Sequence, residues 1–157
     1  TCAYHAAPTE SVWRDPDGLE RQSPMFAVRR RFARHGLQVA NWRRRSDDHL
    51  VHELAYLAAL LRDGTEETLA EAATFLRDHL LVWVPAFAGR VARRCHHPLY
   101  AGLQLAMVGL LQGLAALLAD ATRIDMTPPE DEVVAAAVGA AGPAPAARPV
   151  ARWLGRR

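Results

Sequence analysis

The chain has 157 residues, of which half are hydrophobic and 23% are charged, and its formal net charge is +2. This apolar content is enough for one packed domain and excludes a wholly disordered chain, which would combine low hydrophobicity with high net charge. The sequence contains arginine but no lysine, so a lysine nucleophile or Schiff base is excluded. Its two cysteines, Cys2 and Cys95, exclude a disulfide-dense secreted scaffold, and we predict free thiols in a reducing compartment. No signal-peptide pattern opens the chain.

The first half of the chain carries the signals of a loop followed by two helices. Prolines and an Asp-Pro-Asp-Gly turn predict a loop over residues 1–22. A Ser-Pro start and a terminal glycine predict a helix over 23–36. A leucine stripe at helical spacing predicts a second helix that begins at Ser46 or Asp47 and ends at Gly64.

The second half continues the helical pattern. Thr65 opens a third helix, which we expect Pro85 to stop or kink, with a short helix over 86–95. Residues 99–119 contain no charge, and their mild hydrophobicity favours a central buried helix over the alternative of a membrane span.

The last segments predict one more helix and a tail. A capping box that begins at Thr127 predicts a short helix that ends near Gly139. We assign 1–138 to one helical domain and 139–157, rich in alanine, proline and arginine, to a flexible tail. The pattern as a whole predicts an all-α bundle of about five to six helices.

Two clusters have the residue types of a reactive site. Asp47, Asp48 and His49, with Glu53 one helical turn on, could support acid–base chemistry or bind a metal. Acidic residues at a helix start more commonly cap free N–H groups. The run at 95–97, Cys-His-His, lacks the spacing of structural zinc ligands. With no phosphate loop, nucleophile elbow or metalloprotease motif, we expect no enzymatic activity, catalytic residue, metal or cofactor.

A block of seven arginines lies within residues 29–45. It raises the alternative of an Arg-rich helical nucleic-acid-binding domain. Only Phe32 and Trp42 interleave it as aromatics, and Asp47 and Asp48 follow directly, so a solvated basic face is favoured. We therefore expect no nucleic-acid partner.

Four segments together resemble the TorD/DmsD family of redox-enzyme maturation chaperones. Residues 8–13, PTESVW, are similar to the family's P-Y-E-S-V-Y, and residues 46–57, SDDHLVHELAYL, to E-P-x-D-H-L-x-x-E-L-x-F-L. Residues 75–87, FLRDHLLVWVPAF, are similar to F-L-x-E-H-L-L-x-W-x-P-x-F, and residues 98–103, PLYAGL, to the start of the family's last long helix. The segments occur in the family's order across residues 8–120.

This resemblance implies a TorD-like, cytoplasmic, all-helical chaperone. Such proteins bind the twin-arginine leader of a molybdopterin oxidoreductase precursor and hold it until cofactor insertion, before Tat export. Carboxylates would attract the leader's guanidinium pair, and a groove of Trp and Leu would bury its apolar stretch. The predicted leader-binding residues are Asp48, His49, Glu10, Ser11, Trp13, Asp47, Glu53, Trp83 and Pro85.

The sequence departs from the family pattern in two places. Arg45 and Ser46 stand where the family has Glu-Pro, so arginines border the predicted leader site and would either repel a leader or pair with Asp47, Asp48 or Glu53. The N-terminal helices of the family have no counterpart in these residues. We therefore expect exposed apolar helix faces and a tendency to form homodimers, without stable membrane insertion.

Overall fold

The computed structural model describes residues 6–95 and 97–139, and within them the chain is all-helical. The bundle predicted from the sequence is therefore confirmed. Its elements are α1 (Glu10–Arg14), α2 (Ser23–Arg34), α3 (Leu50–Asp63), α4 (Glu66–Phe75), a π-helical turn (Leu76–Leu80), α5 (Leu81–Arg94), α6 (Pro98–Thr122) and α7 (Glu132–Gly139). Apart from Gly139, the predicted tail lies outside the described residues.

The boundary between α3 and α4 follows from its capping residues. Gly64 ends α3 in the left-handed conformation, at φ 67°, which glycine adopts without steric cost. Thr65 then caps α4, and its hydroxyl and that of Thr68 each accept the other residue's backbone N–H. The predicted boundary between these two helices is therefore confirmed, and in the structure α3 and α4 pack against each other.

Three predicted boundaries were wrong. A short helix, α1, lies inside the predicted loop over 1–22. The α3 helix begins at Leu50 rather than Ser46 or Asp47, because His49 is the cap. The Ser46 hydroxyl donates to the neighbouring Asp48, and the Asp47 carboxylate accepts from Arg29 of α2, so neither side chain caps α3. Asp131 supplies the acceptor for the first turn of α7, so this helix begins at Glu132 and not at the capping box that starts at Thr127.

Pro85 does not end a helix. It lies within α5, which continues to Arg94. The irregularity falls upstream, in the π-helical turn Leu76–Leu80. A π turn changes the backbone register and is one of the few devices that interrupt a helix without breaking it.

The core lies where α1 to α5 meet. Its largest fully buried side chains include Trp83, Phe75, Leu76 and Leu80. Phe75 and Tyr56 are in edge-to-face contact, at a centroid distance of 4.8 Å, and join α4 to α3. Three of the four segments that resemble the family motifs, at 8–13, 46–57 and 75–87, thus contribute buried residues to the centre of the bundle, whereas residues 98–103 are mostly exposed.

The expectation that residues 99–119 form a central buried helix was wrong. The α6 helix packs on α4 and α5 through a narrow face formed by Leu111, Ala115 and Leu118. Only 17% of its most apolar 18-residue window is buried, and that window has a mean hydropathy of 1.8. By length and composition α6 is the one helix among the described residues that could cross a membrane. The predicted exposure of an apolar helix face is confirmed here.

Candidate functional site

The site predicted from the sequence lies where α1 meets the segment that leads into α3. An antiparallel bridge joins Thr9 to His49. The backbone N–H of Glu10 donates to the carbonyl of Asp48 at 3.0 Å, and the N–H of Leu50 donates to the carbonyl of Pro8 at 2.9 Å. Residues about forty positions apart in sequence are thereby held side by side.

Asp48 is the capping residue of this junction. Its Oδ2 accepts the Ser11 N–H at 2.7 Å and the Ser11 hydroxyl at 2.5 Å, and its Oδ1 accepts the Ser46 hydroxyl. The carboxylate thus caps the first turn of α1, where Thr9 makes no side-chain cap. Asp48 and Ser11 are completely buried, so they hold the junction together and present no surface to a ligand.

Asp47 is engaged by an arginine of α2. Its Oδ2 accepts from Nε and Nη2 of Arg29, at 2.8 and 2.5 Å. The same guanidinium lies over the Trp42 ring, 4.8 Å from its centroid. The expected internal pairing of Asp47 with an arginine is therefore present, but its partner is Arg29 and not the Arg43–Arg45 block.

Glu10 anchors α1 to the π-helical turn and to α7. Its carboxylate contacts Nδ1 of His79 at 2.9 and 3.0 Å and accepts from Nη1 of Arg14 at 2.6 Å. Arg14 also donates through Nε to Asp131 at 2.7 Å and through Nη1 to the carbonyl of Asp78. A fully buried carboxylate requires such partners, because removing it from water is otherwise costly.

Glu53 lies one helical turn into α3, fully buried beneath this junction. Its Oε2 accepts from the indole N–H of Trp83 at 3.2 Å, whereas Oε1 has no hydrogen-bond partner among the described residues. Burial, together with the nearby Glu10 and Asp48 carboxylates, raises the pKa of Glu53 well above its ordinary value. Burial here consequently favours the neutral, protonated form of this side chain over the charged form.

The remaining predicted residues divide between core and surface. Trp13 is buried, donates to the carbonyl of Ala7 at 2.8 Å and lies under the Arg90 guanidinium, 4.3 Å from the ring centroid. Trp83 is fully buried, whereas Pro85 is exposed on α5. The fold therefore does not bring Pro85 together with the other predicted residues at one surface.

His49 is half-buried and lies at the rim of the junction. Its Nδ1 accepts the Val51 N–H at 3.2 Å, which makes it the N-cap of α3. Partial burial and the adjacent His52 lower the pKa of His49. Because Nδ1 acts as an acceptor, the ring is neutral in this arrangement.

Two adjoining surface clefts lie beside the junction of α1 and the entry to α3, whose buried polar side chains we call the buried cluster: Glu10, Ser11, Asp47, Asp48 and Glu53. The first is polar, has a volume of about 380 Å³, and is lined by Thr9, Glu20, Arg44, Arg45, Ser46, His49, Val51 and His52. The second is more apolar, has a volume of about 340 Å³, and is lined by Phe32, Leu37, Gln38, Val39, Ala40, Arg45, His52, Ala55, Tyr56 and Ala59. Arg45 and His52 line both, so the clefts form one continuous surface.

The structure thus changes which residues can touch a ligand. Seven of the nine predicted site residues are buried, and of the nine only His49 lines either of these clefts. Sequence reasoning did not select Glu20, His52 or the segment 37–40. The sequence offered one signal for these residues: His49 and His52 are three positions apart, which places them side by side on a helix surface.

Comparison with known proteins identifies the family. Residues 4–89 match the family described as nitrate reductase delta subunit. The chain is 33% identical, over 116 residues, to Chaperone protein TorD from Vibrio cholerae serotype O1 (strain ATCC 39541), covering 68% of this chain and 52% of the relative. It is 29% identical, over 100 residues, to Chaperone protein TorD from Vibrio vulnificus (strain YJ016), covering 59% of this chain and 46% of the relative.

The chain spans about half the length of the curated relatives it matches. The matched residues include α1 to the middle of α5, which are the elements that build the buried cluster and both clefts. Proteins of this kind are chaperones and not enzymes, which confirms at the level of the family the expectation of no enzymatic activity. The chain belongs to the TorD/DmsD family of redox-enzyme maturation chaperones.

Proposed function

We propose that the protein is a cytoplasmic chaperone that binds the twin-arginine leader of a molybdopterin oxidoreductase precursor. It holds the precursor until the cofactor is inserted, before Tat export. Membership of a chaperone family supports this proposal, as does the similarity to the Vibrio proteins that are named Chaperone protein TorD.

The observation that carries the proposal is the junction of a polar cleft with an apolar groove. A twin-arginine leader has a guanidinium pair followed by an apolar stretch, so it needs two such surfaces side by side. Glu20 is the carboxylate that lines the polar cleft, and Phe32, Val39 and Tyr56 line the apolar groove. Apolar side chains of the leader would lose water contact in the groove, at about 25 cal/mol per Å².

The nine predicted residues take different roles in this proposal. His49 contacts the leader directly at the rim of the polar cleft. Asp48, Ser11 and Glu10 act as positioning residues, because they fix the backbone that carries His49. Asp47, Glu53, Trp13 and Trp83 support the same junction from beneath, and Pro85 lies outside it.

Arg44 and Arg45 line the polar cleft and oppose a cationic leader. Reversing both charges, as Arg44→Glu with Arg45→Glu, should tighten leader binding about tenfold at low salt, with a smaller effect at high salt. Fluorescence anisotropy with a labelled leader peptide measures this change. A matched reversal, Arg93→Glu with Arg94→Glu at the end of α5, should leave affinity within about twofold.

The same variants distinguish the nucleic-acid alternative. If the protein bound nucleic acid, the exposed arginines at 43–45 would contact phosphates. The protein with Arg44→Glu and Arg45→Glu would then bind a duplex more weakly, and its affinity would depend less on salt. Weaker leader binding by this variant, or salt-sensitive binding of the unaltered protein to a random duplex, would contradict the chaperone proposal.

A further inference from the structure

His52 lies where the polar cleft meets the apolar groove. It lines both surfaces, a position that it shares only with Arg45 among the described residues. Its ring is half-buried on the first turn of α3. A twin-arginine leader that occupied both surfaces would cross from its guanidinium pair to its apolar stretch at this boundary. A side chain at this position can therefore contact the part of the leader that distinguishes it from an ordinary apolar peptide.

One hydrogen bond fixes the tautomer of His52. Its Nδ1 lies 2.9 Å from the carbonyl oxygen of Ser46. A carbonyl oxygen only accepts, so Nδ1 carries a hydrogen atom in both charge states of the ring. In the neutral ring Nε2 therefore keeps its lone pair. None of the described residues donates a hydrogen bond to this nitrogen, so a ligand can do so.

His49 has the opposite tautomer. Its Nδ1 accepts the Val51 N–H at 3.2 Å, so the hydrogen atom of the neutral ring is on Nε2. The centroids of the His49 and His52 rings are 5.7 Å apart. The start of α3 consequently holds an acceptor, Nε2 of His52, beside a donor, Nε2 of His49. A guanidinium group donates to the first and a peptide carbonyl accepts from the second, so the pair matches an arginine within a peptide chain.

We propose that Nε2 of His52 accepts a hydrogen bond from an arginine of the leader, and that protonation of His52 weakens leader binding. This inference rests on the proposed function and adds to it a contact residue and a dependence on pH. In the protonated ring both nitrogens are donors, so Nε2 no longer accepts from a guanidinium group. The positive charge of the ring then also repels the leader arginines.

The charges around His52 make its protonation state important. The charged and titratable groups that line the clefts beside it, or lie next to His49, are Arg44, Arg45, Glu20, His49, Tyr56 and Asp48. Asp48 is completely buried among its own donors, and burial beside Glu71 raises the pKa of Tyr56, which keeps this side chain neutral. Glu20 is thus the one exposed carboxylate among them, and it already faces two arginines. A further cation at His52 would leave the polar cleft strongly positive.

Leader binding at pH 5.5 and pH 8 tests the proposal, by fluorescence anisotropy with a labelled twin-arginine leader that contains no histidine. Imidazole changes its charge in this range, so the affinity of the unaltered chain should fall about fivefold at pH 5.5. His52→Gln keeps a hydrogen-bond acceptor but does not titrate, so its affinity should change less than about twofold. His52→Arg is charged at both pH values and should bind about tenfold more weakly at pH 8. His97→Gln is the matched control, because His97 is exposed and lines neither cleft, and it should keep the fivefold fall.

The Gln-Gln leader separates this contact from a general effect of acid on the fold. It lacks the guanidinium pair, so its affinity for the unaltered chain should change less than about twofold between the two pH values. An equal fall for both leaders, or a fall that persists in His52→Gln, would overturn the role of His52 and leave the proposed function in place. Absence of leader binding at both pH values would instead overturn the proposed function, and this inference with it.

Discussion

We expect removal of the Asp48 carboxylate to lower the stability of the fold, and not to remove a contact with a ligand. Three donors point at this carboxylate: the Ser11 N–H, the Ser11 hydroxyl and the Ser46 hydroxyl. A hydrogen bond to a charged group contributes about 1.5–3 kcal/mol, and a buried donor without a partner costs about 1–3 kcal/mol. Allowing for water entry, we expect Asp48→Ala to lower the free energy of unfolding by about 3–5 kcal/mol.

Thermal and urea denaturation followed by circular dichroism measure this loss. For a chain of this length each kcal/mol lowers Tm by about 2–4 °C, so Asp48→Ala should lower Tm by roughly 10 °C. His49→Ala removes one cap contact and should cost about 1 kcal/mol. The two substitutions therefore separate the positioning residue from the residue at the rim.

Asp120→Ala is the control for loss of a carboxylate. Asp120 is about four-fifths exposed and pairs only with the equally exposed Arg123 among the contacts described, so the free energy of unfolding should change by at most about 0.5 kcal/mol. A Tm for Asp48→Ala within about 2 °C of the unaltered protein would refute the reasoning, because it would mean that the junction does not depend on this carboxylate.

Three further predictions concern other parts of the bundle. Because the pKa of Glu53 is raised in the folded protein, the contribution of Glu53 to stability is complete below pH 4.5 and declines as the pH rises toward the folded-state pKa. Glu53→Gln should remove this decline, which urea denaturation at pH 5 and pH 8 measures. An unchanged pH dependence of stability in Glu53→Gln would contradict the prediction. Asp131→Ala removes one of the three acceptors of Arg14 and the cap of α7, so hydrogen exchange should accelerate in α7 more than in α3, and an equal change in the two helices would argue against this link. Gly102→Ala should stabilise the monomer by about 0.5–1 kcal/mol in dilute solution; destabilisation would reveal a close contact.

The sequence predicted the helical class and the elements whose signals are local. Glycine at 64 and threonine at 65 define a boundary through their own backbone and capping preferences, so the boundary between α3 and α4 was predictable. The π-helical turn Leu76–Leu80 was not, because no residue type in it marks a change of register. Pro85 was expected to stop or kink the third helix, but it lies within α5, and the irregularity falls one to two turns upstream.

The site was predicted as a set of motifs rather than as a surface. Asp48 and Ser11 are 37 positions apart, and their hydrogen bond exists only after α1 has docked against the entry to α3. Composition around Asp48 suggested an acidic site, whereas the fold pairs these acids internally with Ser11, Ser46 and Arg29. Burial of this kind depends on long-range packing, which periodicity within one helix does not report.

The exposure of α6 also depends on long-range packing, and for this reason the expectation of a central buried helix was wrong. Its composition is that of a core helix, and a charge-free run normally predicts burial on all sides. The described bundle nevertheless covers only one narrow face of it. The amount of apolar surface in a helix can be read from the sequence, but the number of neighbours that cover it is a property of the assembled fold.

The measurement that tests the central claim most directly is binding of the purified chain to a labelled twin-arginine leader, with an Arg-Arg→Gln-Gln leader and a random DNA duplex as controls, at two salt concentrations. The account predicts saturable binding of the twin-arginine leader, weaker binding of the Gln-Gln leader, and no duplex binding. It also predicts that His49→Ala weakens leader binding, whereas Arg44→Glu with Arg45→Glu strengthens it. Equal affinity for the two leaders, or preferential binding of the duplex that falls steeply with salt, would contradict it.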